Sequence, residues 1–328
     1  MDSIRRLWLF IKKHLKKFLL SVLMTAFFLV VFFPTQDLID LITSQVSFQT
    51  QKKAYIQMDS FGFSLIPVGL NVTAPQFEWT GMPAIKADSV EAYPSVFALI
   101  GAITNPNNFA AAPVGDYLVE GLFKGSLNVK VQTGKKTENG NPRTAVDLVA
   151  ENLALEEIKN VLKLKLPLKG SIHINSSSLV DLSFSAQPEI QPLTISIDRF
   201  SLGSTTVNTQ MGAVGIPELS LKQVKLEGRL IGSKFIVDQG IIGSPQDELN
   251  GTVKGSITVN FVNQGGVILP QFNGYNFDIN LKLKRELEDR AQLFLILIDR
   301  FKSATDGGHQ YKFKVSAPNT FSPPQFDP

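Results

Sequence analysis

The chain has 328 residues, 44% of them apolar and 19% charged, and it contains no cysteine. That composition excludes a disordered polyelectrolyte, a disulfide framework, thiolate metal sites and cysteine nucleophiles. The formal net charge of +3 does not describe a basic face for nucleic acid: Arg5, Arg6, Lys12, Lys13, Lys16 and Lys17 crowd into residues 1–17 with Asp2 the only acid, and the remainder is slightly acidic.

In chain order, the basic segment 1–17 is followed by "FLLSVLMTAFFLVVFF", residues 18–33, which carries no charge. As a helix this run spans roughly 24 Å. That is short of the ~30 Å hydrocarbon core, a gap that snorkelling of Lys16 and Lys17 and local thinning can close. Pro34 ends it. No small-x-small cleavage site follows, so a retained single-pass anchor over 18–34 is expected in place of a cleaved signal peptide. The basic flank puts the N-terminus in the cytoplasm and the rest of the chain across the membrane. Ile4, Leu7, Trp8 and Ile11 recur at helical spacing among the basic residues, as in a stretch lying along the inner membrane surface.

After a linker at 35–50, residues 51–318 read as one antiparallel β-domain. Strict apolar/polar alternation marks half-buried strands at 127–132, 180–185, 193–198, 277–284 and 311–316. Each has one apolar and one polar face, which suits antiparallel sheets and not a doubly wound parallel one. The apolar positions are candidates to line a groove. They are Leu127, Val129 and Val131; Leu182 and Phe184; Ile195 and Ile197; Ile257, Val259 and Phe261; and Phe277, Ile279 and Leu281. In "LSLKQVKLEGRL", 219–230, the apolar phase slips after Lys222-Gln223, which predicts a bulge. Helical pattern is scarce. It is confined to 94–103 (helix or buried loop), 156–162, and 285–302, where Leu287, Ala291, Phe294, Leu295, Ile298 and Phe301 share a face. The stretches 134–143 and 203–217 read as loops, the second a possible seam between halves, and 319–328 as a Pro-rich tail.

Lys-Gly-Ser followed by an aliphatic residue recurs at 124–127, 169–172 and 254–257, with a near copy at Ile231-Gly232-Ser233, and three of these copies fall within Gly-x-x-x-Gly-Ser. Set among alternating polar residues, these copies are not membrane-helix packing motifs. Gly125, Gly170, Gly232 and Gly255 are expected at bends, bulges or turns of strands. Recurrent bends can curl a long sheet. The fold class is therefore mainly β: a transmembrane helix, then a curled antiparallel sheet with a few short helices, closed as a sandwich or open as a trough.

Chemistry-bearing motifs are missing. There is no G-x-S-x-G, H-E-x-x-H, Walker A or G-x-G-x-x-G pattern. His14, His173 and His309 fall in a membrane-proximal segment, a strand and a turn. The adjacent acids Glu156-Glu157 and Asp247-Glu248 suit a solvated face or a turn. No catalytic residue, metal site or cofactor is expected, and no nucleic-acid partner.

Residues 216–285 carry a resemblance. Ile216-Pro217, then Leu219 and Leu221, Gly228 and Gly232, Gly243, Asp247-Glu248-Leu249 with Gly251, and the strand 277–284 together resemble the type II secretion system protein N family of delta-proteobacterial type. That family is similar in pattern to AsmA-like proteins of the Gram-negative envelope. The resemblance implies a non-enzymatic single-pass inner-membrane protein with a periplasmic β-domain, acting as an accessory component of a secretion system whose partners are other envelope proteins. The AsmA-like pattern implies a second possibility, a lipid-binding or lipid-transfer module whose apolar β-groove holds acyl chains. The alternation fits both.

Overall fold

The structure is a computed structural model. It describes residues 35–50, 52–65, 67–80, 82–95, 114–133, 143–180, 188–209, 212–264, 267–296, 298–319 and 322–328, with single helical residues between 16 and 28. Most of the 18–33 run, most of 94–103 and all of 134–142 lie outside the described residues, as do Leu182 and Phe184. Among the described residues no helix is long and apolar enough to cross a membrane.

The protein is mainly β. Helix α1 (Thr35–Gln49) leads into β1 (Ala54–Gln57), β2 (Ser60–Leu65), β3 (Val68–Thr73), β4 (Gln76–Trp79), β5 (Ile85–Lys86) and β6 (Ser89–Pro94). Then come β7 (Gly115–Leu122), β8 (Gly125–Thr133), β9 (Thr144–Ala154), α2 (Leu155–Val161), β10 (Leu168–Val180) and β11 (Glu189–Leu202). The hairpin β12 (Thr205–Thr209) and β13 (Gly212–Ile216) precedes β14 (Leu219–Ile231), β15 (Lys234–Ile242), β16 (Leu249–Gln264) and β17 (Val267–Lys284). The chain ends with α3 (Arg285–Leu295), a 3-10 turn (Asp299–Phe301), β18 (Lys302–Thr305), β19 (Gly308–Asn319) and β20 (Gln325–Asp327).

Fifteen strands form one antiparallel sheet, in the order β18-β19-β17-β16-β15-β14-β11-β10-β9-β8-β7-β6-β3-β2, with β20 beside β19. Nearly every neighbour in space is a neighbour in sequence. Hairpins make such a meander because alternating strands need only short reversals to pair antiparallel. β1, β4 and β5 form a separate small sheet, against which α1 packs. There Thr43 Oγ1 donates to the Ile56 carbonyl at 3.0 Å.

The sequence expectations need correction at several points. The stretch 35–50, expected as a linker, forms helix α1, and the 319–328 tail contributes β20, which pairs with β19. The stretch 203–217 is a two-stranded hairpin, β12–β13, and not a plain loop. Its β-branched residues Thr205, Thr206 and Val207 pair with Ile216, Gly215 and Val214, and β-branched side chains suit a pleated surface. The helix expected over 285–302 stops at Leu295; a 3-10 turn and then β18 follow, because Lys302 joins the ladder by pairing with Tyr311. No bulge lies at Lys222-Gln223 between β14 and β11, since the register runs unbroken from Leu219 to Gly228. The irregular backbone is on the facing strand, where Arg199 has φ +52.

The buried core is small; its two clusters lie at α2 and α3, and Leu221, Leu230, Val237 and Val259 are buried along β14–β16. Leu155 and Ile158 of α2 pack on Ala150, Leu153 and Ile172. α3 buries Leu287 against Leu283, Tyr311 and Phe313.

Candidate apolar face

Residues directly opposite each other in an antiparallel pair point to the same side of the sheet. The registers can therefore be followed from strand to strand as a row. One row begins Phe61, Val72, Val90, Val119, Leu127 and Ala150. It continues through Ile174, Ile195, Leu226, Gly240 and Val253 to Ile279 and Phe313. Thirteen strands contribute, and every position is apolar or glycine. At ~4.8 Å per strand the row runs roughly 58 Å along the sheet. A second row lies beside it: Phe63, Leu70, Ala92, Tyr117, Val129 and Leu148, then Ser176, Leu193, Gly228, Val237, Gly255, Phe277 and Val315. Only Ser176 and the hydroxyl of Tyr117 interrupt it.

Between these rows the side chains point to the other surface and are largely polar: Glu91, Leu118, Asn128, Val149, Asn175, Thr194, Glu227 and Gln239 stand in register. The sheet thus has one apolar and one water-facing side.

The structure places the candidate groove residues as follows. Leu127, Ile195 and Ile279 are in the first row, and Val129 and Phe277 in the second. Val131, Ile197 and Leu281 pair with Val146, Val224 and Tyr311 on the same side. Ile257, Val259 and Phe261 pair with Tyr275, Phe272 and Pro270 near the far end of β16. Leu182 and Phe184 lie outside the described residues.

Cover over this face is incomplete. β11 sits mid-sheet between β10 and β14, yet none of its fourteen residues is buried. Its neighbour β10 buries only Ile172 and is otherwise half-buried or exposed. A strand this central in a two-layer domain normally buries its apolar side fully. Phe272, opposite Val259, is 54% exposed.

Two of the recurrent glycines mark places where the registers shift. Gly170 lies in the step between the Lys169 and Ser171 pairs, and Gly255 beside the step that separates the Val237 and Gly240 pairs. Gly255 has φ +153, and a Cβ there would run into the Asn276 carbonyl oxygen. Gly232 makes the β14–β15 turn at φ +59. Gly125 opens β8 directly after a turn whose left-handed positions are Phe123 and Lys124, and the register step before that turn is at Gly121, φ +75.

Sequence reasoning missed two features. One is the contribution of β2, β3, β6 and β7 to the apolar rows, because these strands are too short for alternation to stand out. The other is a polar cluster under α3. Glu288, 7% exposed, accepts from His309 Nδ1 at 2.9 and 2.7 Å and from Tyr311 Oη at 3.4 Å. Burial, then the charge and hydrogen bond of Glu288, push the Tyr311 hydroxyl up to about 12. The cluster borders a cavity of about 500 Å³ also lined by Arg285, Asp289 and Lys302. His309, expected in a turn, is in β19 and faces the buried carboxylate. Among the described residues no group of His, Cys, Asp and Glu is placed to hold a metal.

The chain matches no protein-family model, no curated protein and no solved structure.

Proposed function

We propose that the β-domain is a non-enzymatic carrier of acyl chains, a curled sheet forming an open trough whose apolar side takes lipid tails. The observation that carries this reading is the thirteen-strand apolar row combined with a central strand, β11, none of whose residues is fully buried. Phe61, Ala150 and Phe313 of the row are buried, but its middle from Ile174 to Leu226 is only half-buried. Apolar surface left partly in water favours an apolar guest, since each Å² removed from water is worth about 25 cal/mol. An unbroken row, unlike a single pocket, also lets a chain shift along it without crossing a polar barrier.

In this reading residues 18–34 anchor the chain in the inner membrane of a Gram-negative cell. The N-terminus is cytoplasmic and the β-domain periplasmic. Of the two expectations, the acyl-chain module is the one the architecture supports. The role of accessory secretion subunit stands on the sequence resemblance alone.

The test is photo-crosslinking with a diazirine fatty acid on the full chain in detergent, with the labelled peptides mapped by mass spectrometry. Labels should fall on β10, β11, β14 and β16, and should be lost from that face in Ile195→Asp and Ile279→Asp variants of unchanged circular dichroism. Labelling confined to residues 18–33 would sink the proposal.

A further inference from the structure

The segment between α2 and β10 reads "KNVLKLKLPLK", residues 159–169. It carries Lys159, Lys163, Lys165 and Lys169 and no acid. Leu162, Lys163, Leu164 and Lys165 are all exposed, the two leucines by 60% and 44%. Large aliphatic side chains held this far into water, alternating with cations, are not needed by the core. Leu155 and Ile158 of α2 already pack on the sheet.

The backbone fixes this display. The Lys163 N–H bonds to the Asn160 carbonyl at 3.1 Å and the Leu164 N–H to the Lys159 carbonyl at 2.9 Å. With Lys163 at φ +54, this is a Schellman end to α2. A lysine takes the left-handed position usually filled by glycine, which is a conformational cost. The leucine after it, which in such motifs commonly packs back on the helix, points instead to solvent. Glu157, the nearest acid before the segment, is held by Lys124 at 2.7 Å.

Topology supplies the second argument. β2 and β9 are five antiparallel steps apart, so β2 begins on the long side of the sheet where β9 ends and α2 sits. α1 packs on β2 and directly follows the uncharged run 18–33. On the proposed reading of 18–34 as an anchor, α1 leads from the membrane to the rim that also carries the Lys/Leu loop.

We propose that residues 159–169 dock this rim on an anionic membrane surface. Leu162 and Leu164 enter the interface, and the exposed Lys165 and Lys169 pair with lipid phosphates, as polybasic segments with apolar neighbours do. The proposal is independent of what occupies the apolar face.

The absence of cysteine permits a clean test. A fluorophore is placed at Asn160→Cys, next to the loop, or at Lys234→Cys, on the opposite long side of the sheet. Each full chain is reconstituted in vesicles of phosphatidylcholine with or without phosphatidylglycerol, doped with a headgroup nitroxide. Quenching of the Asn160 label in the anionic vesicles, and not of the Lys234 label, is expected. The docked-to-undocked ratio should fall about tenfold or more in Lys165→Gln/Lys169→Gln, in line with the attraction of each lysine to an anionic surface. Leu162→Asn/Leu164→Asn, at exposed positions that leave the fold intact, should lower it as well. Equal quenching of the two labels overturns the proposal. So does quenching indifferent to phosphatidylglycerol and to both double variants, or protection of the label only by an acidic protein.

Discussion

His309 Nδ1 lies 2.7 Å from Glu288 Oε2, and this contact ties α3 to β19 across the end of the apolar face. Glu288 is almost wholly buried, and its other oxygen accepts from His309 and from the fully buried Tyr311. Replacing Glu288 with alanine leaves both donors without an acceptor. The expected cost is about 2–4 kcal/mol, read as a lower midpoint in urea unfolding. Glu288→Gln, which still accepts, should cost less. Equal midpoints for Glu288→Ala and wild type would remove the tie.

Tyr311 makes the stability fall at high pH. Its hydroxyl ionises at about 12 in the folded chain and near 10.0 in an unfolded one. Between these values the folded state holds the proton more tightly, so stability is full below pH 10 and is lost as pH rises toward 12. Tyr311→Phe should flatten that alkaline slope. A slope unchanged in the variant would mean that other groups set it.

Asp247 works at the opposite end of the pH scale. Burial pushes its carboxyl up, but hydrogen bonds from the Lys222 and Ser244 backbone N–H groups outweigh burial and hold it below the ordinary carboxylate value. Its contribution is present above about pH 4 and is lost as pH falls through the lowered value. Asp247→Ala should cost about 1–2 kcal/mol at neutral pH. The two melting curves should converge in acid, and a constant gap down to pH 2 would contradict the assignment.

The glycines should separate into two classes. At Gly232 nothing stands within 4 Å of an added Cβ, so alanine pays only for the left-handed turn, about 1 kcal/mol. At Gly255 a side chain meets the Asn276 carbonyl and the Phe277 ring, in addition to the backbone strain. Gly255→Val should therefore lower the melting temperature several times more than Gly232→Ala. Equal shifts would show that the β16 backbone gives way.

Membrane topology is checked by single cysteines in the otherwise cysteine-free chain. Asp306→Cys, in the exposed turn between β18 and β19, should react with a membrane-impermeant maleimide in cells whose outer membrane has been opened. Ser3→Cys should stay protected. Labelling of Ser3→Cys would reverse the proposed orientation.

The antiparallel β character was legible in the sequence because alternation is local. Leu127, Val129 and Val131, or Ile279 and Leu281, declare a two-faced strand within a few residues. The absence of catalytic motifs was equally a matter of residue types. Alternation does not say which strands pair or in what register, and a slip of one residue turns a strand over. Pairing and register were decided by contacts distant in sequence: the steps at Gly170 and Gly255, and the passage from Ile174 to Ile195 and on to Leu226. Only through those steps do twelve apolar residues and Gly240 fall into one row. The same holds for Glu288 and His309, which are 21 positions apart and carry no motif. They meet because α3 folds back over β19, and that return path depends on packing of Leu287 against Leu283 and Phe313, which no local pattern encodes.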